Sequence, residues 1–110
     1  MELIYNYKFT EAARLDLDEI LTYISSILNN PKAAGDFLKN VKSVIENIRY
    51  FPHMGSVLDN EYVTNKNVRK VLIGNYLMYY LPDDNEHEIV ILRIIFGKRN
   101  PEITAQSLNN

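Results

Sequence analysis

The sequence predicts an α+β fold in the order β-α-α-β-β-β: an antiparallel sheet with an N-terminal helical hairpin packed on one face. Three observations predict it. Residues 11–50 carry two successive apolar stripes at helical spacing, divided at Asn30-Pro31. Residues 68–96 hold three apolar runs rich in β-branched and aromatic side chains, divided by Gly74-Asn75 and by Pro82–Glu86. Residues 2–9 alternate, with Leu3, Tyr5, Tyr7 and Phe9 against Glu2, Asn6 and Lys8, the period of a half-buried strand.

Each element has its own signals. Thr10 stands where an N-cap belongs, and Glu11 complements the dipole of the first turn. Ala13, Leu17, Ile20, Leu21, Ile24 and Leu28 then form one face, with Arg14 and Asp18 paired on the other. Pro31 suits the first position of a second helix, whose stripe is Ala34, Phe37, Leu38, Val41, Ile45 and Ile48. Pro52 and Gly55 stop it. A link of about three residues makes the two helices an antiparallel pair. Residues 53–66 are polar and irregular and read as a long loop. Val68–Ile73 and Tyr76–Leu81 form a hairpin with Gly74 at a positive-φ position. Glu88–Phe96 is apolar on both faces, as an internal strand covered on both sides must be.

The 110 residues contain no Cys and carry a formal charge of -2, with 46% hydrophobic and 24% charged residues. That balance fits one globular domain over 1–110, with 98–110 expected to be a partly flexible tail. Without Cys there is no disulfide, thiolate nucleophile or thiolate zinc site. No apolar run approaches the ~18 residues of a membrane span, and the start lacks the plan of a signal peptide, so a cytoplasmic protein is expected.

Charge is segregated along the chain. Lys66, Arg69, Lys70, Arg93, Lys98 and Arg99 make the later strands basic. The acids of that stretch, Asp83, Asp84, Glu86 and Glu88, gather at one turn. The first helix, with Asp16, Asp18 and Glu19, is acidic. A basic sheet suits a phosphate backbone or an acidic protein segment; it equally suits a solvated edge guarded against aggregation. Arg93 lies inside an apolar run. It must be paired, with an acid such as Glu61 or with carbonyls, or face a wet groove beside Arg99.

No Gly-rich phosphate loop is present. His53 and His87 fall in a loop and a turn, without metal-ligand spacing and without a partner to orient them, so neither a metal nor a cofactor is expected. Asp83-Asp84 beside Pro82 is turn chemistry. The serines have no activating context. Tyr76, Tyr79 and Tyr80 are expected to pack within the sheet rather than stack on bases.

The pattern as a whole resembles the RelE/ParE superfamily of toxins from type II toxin–antitoxin modules. The likeness rests on Phe9-Thr10-x-x-Ala13, Asp16-Leu17-x-x-Ile20-x-x-Tyr23-Ile24, Ala33-x-x-x-Phe37-x-x-x-Val41-x-x-x-Ile45 and Phe51-Pro52-x-x-Gly55. It continues through Val68-Arg69, Asn75–Tyr80 and Ile89-x-Ile91-Leu92-Arg93-Ile94-Ile95-x-Gly97-Lys98-Arg99. The resemblance implies a toxin neutralised by a cognate antitoxin in a hetero-oligomer. RelE-like members cleave messenger RNA on the ribosome; ParE-like members poison DNA gyrase. Where the RelE branch has a basic residue this chain has Leu77, and near its C-terminal tyrosine it has Ala105. Only Arg99, and Lys70 on the preceding strand, match the catalytic set of such an RNase. The helical hairpin and the Gly97-Lys98-Arg99 end are similar to the ParE branch. There the resemblance implies target contacts from Arg69, Lys70, Lys98 and Arg99, with Arg93 partly structural. A ribosome-dependent mRNA interferase and a non-toxic antitoxin-binding remnant are the alternatives.

Overall fold

The computed structural model describes residues 3–58, 67–98 and 107–109. In chain order these form β1 (Asn6–Phe9), α1 (Glu11–Thr22), a wide π-helical turn (Tyr23–Ile27), α2 (Pro31–Tyr50), β2 (Ser56–Val57), β3 (Arg69–Ile73), β4 (Tyr76–Asp83) and β5 (Glu88–Phe96). The five strands lie in the order β1-β5-β4-β3-β2. The body of the sheet is antiparallel, as expected, but β1 runs parallel to β5. Direction is free to differ there because the helical hairpin, not a tight turn, carries the chain away from β1.

The predicted caps form. Thr10 Oγ1 accepts from Ala13 N at 3.0 Å, and Asn30 Oδ1 accepts from Ala33 N at 3.1 Å. Between the helices, Leu28 N reaches back to Tyr23 O, and Asn29 takes a φ of 51°, a left-handed conformation that Asn tolerates. The π turn changes the helical phase. Leu28, expected on the buried face, is therefore 54% exposed. α2 buries Ala34, Phe37, Val41, Ile45 and Ile48. At about 2 kcal/mol for each large side chain, that stripe outweighs the cost of about 1 kcal/mol for Gly35 in the helix interior.

β1 is shorter than the alternation predicts, and Leu3 and Tyr7 are exposed rather than inward. Four residue pairs tie this edge strand to β5, and before it the chain turns to α2 instead, with Tyr5 N donating to Arg49 O and Arg49 Nε to Tyr5 O. β2 has no signal in the sequence. It is two residues long, and its pairing partners, Lys70 and Arg69, lie more than ten residues away. The predicted hairpin at Gly74 is present, with φ +59° there and not at Asn75, the type II′ arrangement.

The helices cover one face of the sheet over Ile73, Met78, Tyr80, Ile89, Ile91 and Ile94. The face opposite α1 and α2 carries a second cluster of Val68, Tyr79, Ile95 and Leu108, with Leu77, Leu81 and Leu92 against it. Leu108, in the segment expected to be a partly flexible tail, is thus buried. β5 is covered on both faces, and the three strand tyrosines pack as expected.

A bulge lies between β4 and β5. Tyr79 pairs with Arg93 and Tyr80 with Ile91, so Leu92 is surplus. Here β1 ends and α1 begins. Thr10 N donates to Ile91 O and Thr10 Oγ1 to Leu92 O, so the start of α1 takes over the edge of β5 that β1 has left. No helix among the described residues is long and apolar enough to cross a membrane.

Candidate partner and target surfaces

Arg93 is fixed by α1. Its Nε donates to Asp16 Oδ2 at 2.7 Å and its Nη2 to Asp16 Oδ1 at 2.9 Å, while Ile94 N donates to the same carboxylate at 3.0 Å. Donating to Asp16 holds the guanidinium pKa above its ordinary value, against the opposing effect of burial. Among the described residues the partner is therefore the Asp16 carboxylate; Glu61 lies outside them. α1 extends along the exposed half of the β5 edge, so an acid at its second turn meets both a free strand N–H and the guanidinium. Asp16 and Arg93 are 77 positions apart, and the sequence signalled only that Arg93 needed a counter-ion.

Arg69 is also engaged inside the protein. Its Nη1 donates to His53 O at 2.9 Å and to Gly55 O at 2.8 Å, and its buried Nε has no hydrogen-bond partner. Beside it Gly55 N donates to the hydroxyl of fully buried Tyr80 at 2.9 Å. Burial raises the Tyr80 pKa, partly offset by the Gly55 N–H and the Arg69 charge. A Cβ on Gly55 would lie 2.6 Å from the Tyr80 hydroxyl and 2.9 Å from Lys70 O, so only glycine fits. Tyr80, Gly55 and Arg69 together clamp the segment after α2 onto β3 and β4. The Phe51-Pro52-x-x-Gly55 motif pointed to this segment, but not to Tyr80.

Lys70 and Lys98 stand at different levels along the sheet. Lys70 pairs with Tyr79, which pairs with Arg93. Lys98 lies five residues beyond Arg93, past the end of β5, where Gly97 N donates to Asn75 O in the β3–β4 turn. At about 3.3 Å per strand residue, that separates Lys98 from the Lys70 row by about 16 Å. Strand register thus sets Lys98 beyond the end of β5, while Lys70 lies level with the middle of β4 and β5. Arg99 and Lys66 lie outside the described residues.

A mostly apolar groove of about 430 Å³ runs between the helices and β1, lined by Tyr7, Phe9, Leu17, Leu38, Val41 and Ile45 with Lys42 and Glu46 at its rim. At the other end of β1, His53 Nε2 lies 3.2 Å from Asp84 Oδ1, which also accepts from the Tyr5 hydroxyl at 2.8 Å. His53 thus has an acidic neighbour that its sequence context did not reveal. Asp83 caps the turn, accepting from Glu86 N. Among the described residues no three His, Cys, Asp or Glu side chains gather to hold a metal.

A two-helix hairpin on a five-stranded sheet is a fold shared with solved chains of toxin–antitoxin systems. In the ParDE system of P. aeruginosa, a chain superposes with TM-score 0.67 at 21% identity, over 86% of this chain and 98% of that one. In the RelBE2 toxin–antitoxin complex of Mycobacterium tuberculosis, the values are 0.60 and 23%, over 84% and 98%. A mutant of the E. coli toxin RelE in the free state gives 0.64 and 11%, over 94% of each chain. No curated protein sequence matches the chain. The profile of the family described as ParE toxin of type II toxin-antitoxin system, parDE, matches residues 7–101. The chain belongs to the ParE toxin family, and is the toxin component of a type II toxin–antitoxin system.

Proposed function

We propose that this toxin is held inactive in the cytoplasm by a cognate antitoxin and, once released, poisons DNA gyrase without catalysing a reaction of its own and without a cofactor. One observation carries the choice of target. The family match runs through β5 into Gly97-Lys98-Arg99, while the position at which RelE-like nucleases carry a basic residue is Leu77, an apolar side chain packed on the face opposite α1 and α2. Losing a cationic transition-state partner typically costs orders of magnitude in rate.

Lys98 and Arg99 are the proposed target contacts, with Lys70, on β3, a separate one. Arg69 and Arg93 support the surface from within. The groove beside β1 is the proposed seat for apolar side chains of the antitoxin. Purified protein should inhibit gyrase supercoiling, and the Lys98→Ala/Arg99→Ala double variant should lose that inhibition while keeping its melting temperature. Unimpaired supercoiling, together with cuts in messenger RNA at the ribosomal A site, would instead establish the RNase reading.

A further inference from the structure

At the corner where α1 meets the end of β5, a pocket of about 190 Å³ is lined by Asp16, Glu19, Tyr23, Tyr76 and Phe96, among others. Its walls are aromatic. Tyr76 and Phe96 meet at 5.7 Å in an edge-to-face arrangement, and Phe37 supports Tyr76 from behind at 5.2 Å. Tyr23 and Phe96 are each about half exposed, at 46% and 47%. Its polar groups are carboxylates of unequal standing. Asp16 is committed to Arg93 and Ile94 N. Glu19 is exposed and makes no hydrogen bond or ion pair with any described residue; its charge reaches Arg93 only at a distance.

We infer that this corner receives one arginine side chain from the antitoxin. The inference rests on the proposed antitoxin partnership and adds the anchor. An anion would meet two carboxylates and the negative faces of the rings, and an apolar side chain would desolvate Glu19 without repaying it. A guanidinium satisfies both features, stacking on an aromatic face while donating to the carboxylate. The volume suits one side chain and falls short of the roughly 300 Å³ at which small-molecule sites begin. Placement gives the anchor a purpose. Phe96 is two residues from Lys98, so a segment pinned here lies across the basic end of β5 and masks it.

Two measurements test this. The first is an NMR titration of the full chain with N-acetyl-arginine methylamide, with the citrulline analogue as the uncharged control. Saturable shifts at Glu19, Tyr23 and Phe96 are expected, with arginine preferred about fivefold or more, and Glu19→Gln should remove the preference. Equal response to both probes, or shifts elsewhere, overturns the proposal. The second uses the product of the adjacent reading frame. Tyr23→Ala and Glu19→Gln should each weaken its binding about fivefold or more. If that protein binds wild type and both variants alike, the anchor is wrong and the partnership stands. If it does not bind wild type, the partnership fails and the arginine titration alone decides the pocket.

Discussion

Replacing Asp16 by Ala removes three hydrogen-bond acceptor contacts at once, two to the Arg93 guanidinium and one to Ile94 N. The side chains involved are 20% exposed for Arg93 and 12% for Asp16, so the charge left behind is only partly reached by water. Truncating one partner of a buried pair costs about 3–5 kcal/mol; with residual solvent contact, the low end, about 3 kcal/mol, applies here. In a domain of this size each kcal/mol moves the melting temperature by about 4 °C, so Asp16→Ala should melt about 12 °C lower in calorimetry. Asp16→Asn, which keeps one acceptor oxygen, should lose about half of that. The double variant Asp16→Leu/Arg93→Met removes both charges together and should recover part of the loss, with a coupling of about 1–3 kcal/mol. The sign with pH follows from the raised pKa of Arg93. Its contribution is complete below the ordinary arginine value and is lost only as pH climbs through the higher folded value, so across neutral pH it stays constant. A shift of less than about 3 °C for Asp16→Ala, or strict additivity in the double variant, would show that the pair does not hold α1 to β5.

Other outcomes follow from the same coordinates. Gly55→Ala should destabilise by about 1–3 kcal/mol in urea unfolding, because its Cβ meets the Tyr80 hydroxyl and a backbone carbonyl. Tyr80→Phe leaves Gly55 N without its acceptor and should cost about 1 kcal/mol. Thr10→Ala loses both the α1 cap and the bond to Leu92 O, for about 1–2 kcal/mol by the same measurement. Burial raises the pKa of Tyr79 and Tyr80, so the stability they contribute is complete below their ordinary 10.0 and falls as pH rises through the folded values. Absorbance at 295 nm should accordingly show these two phenolates appearing with unfolding rather than before it.

Elements whose signals are local were legible in the sequence. Thr10 and Asn30 announce their helices because a cap needs only the next three residues, and Gly74 announces its turn because the required φ belongs to one residue. The strand tyrosines and both faces of β5 were likewise readable from side-chain type. Pairings over long distances were not. Asp16 meets Arg93 only after the helical hairpin has folded back, and Tyr80 meets Gly55 only once β4 lies beside the segment after α2. β2 and the parallel direction of β1 are properties of the assembled sheet, and the π turn that exposes Leu28 breaks the period by which it was assigned. For the candidate surface, the basic residues themselves could be named. Which of them come level along the sheet depends on register, which composition does not carry.

Leu92 has a further role through its position. As the surplus residue of the β4–β5 ladder, it can be removed without changing which side chains face each other on either side, unlike any other residue of β5, whose loss would turn the rest of the strand over. Excising it would relax the extra local twist and swing the strand's terminus, with Lys98, relative to the helical layer. The aim of the strand's end is thus set by chain length at a point six residues before Lys98, where a deletion would give up one apolar contact and the bond from Thr10 but keep the facing of every other side chain.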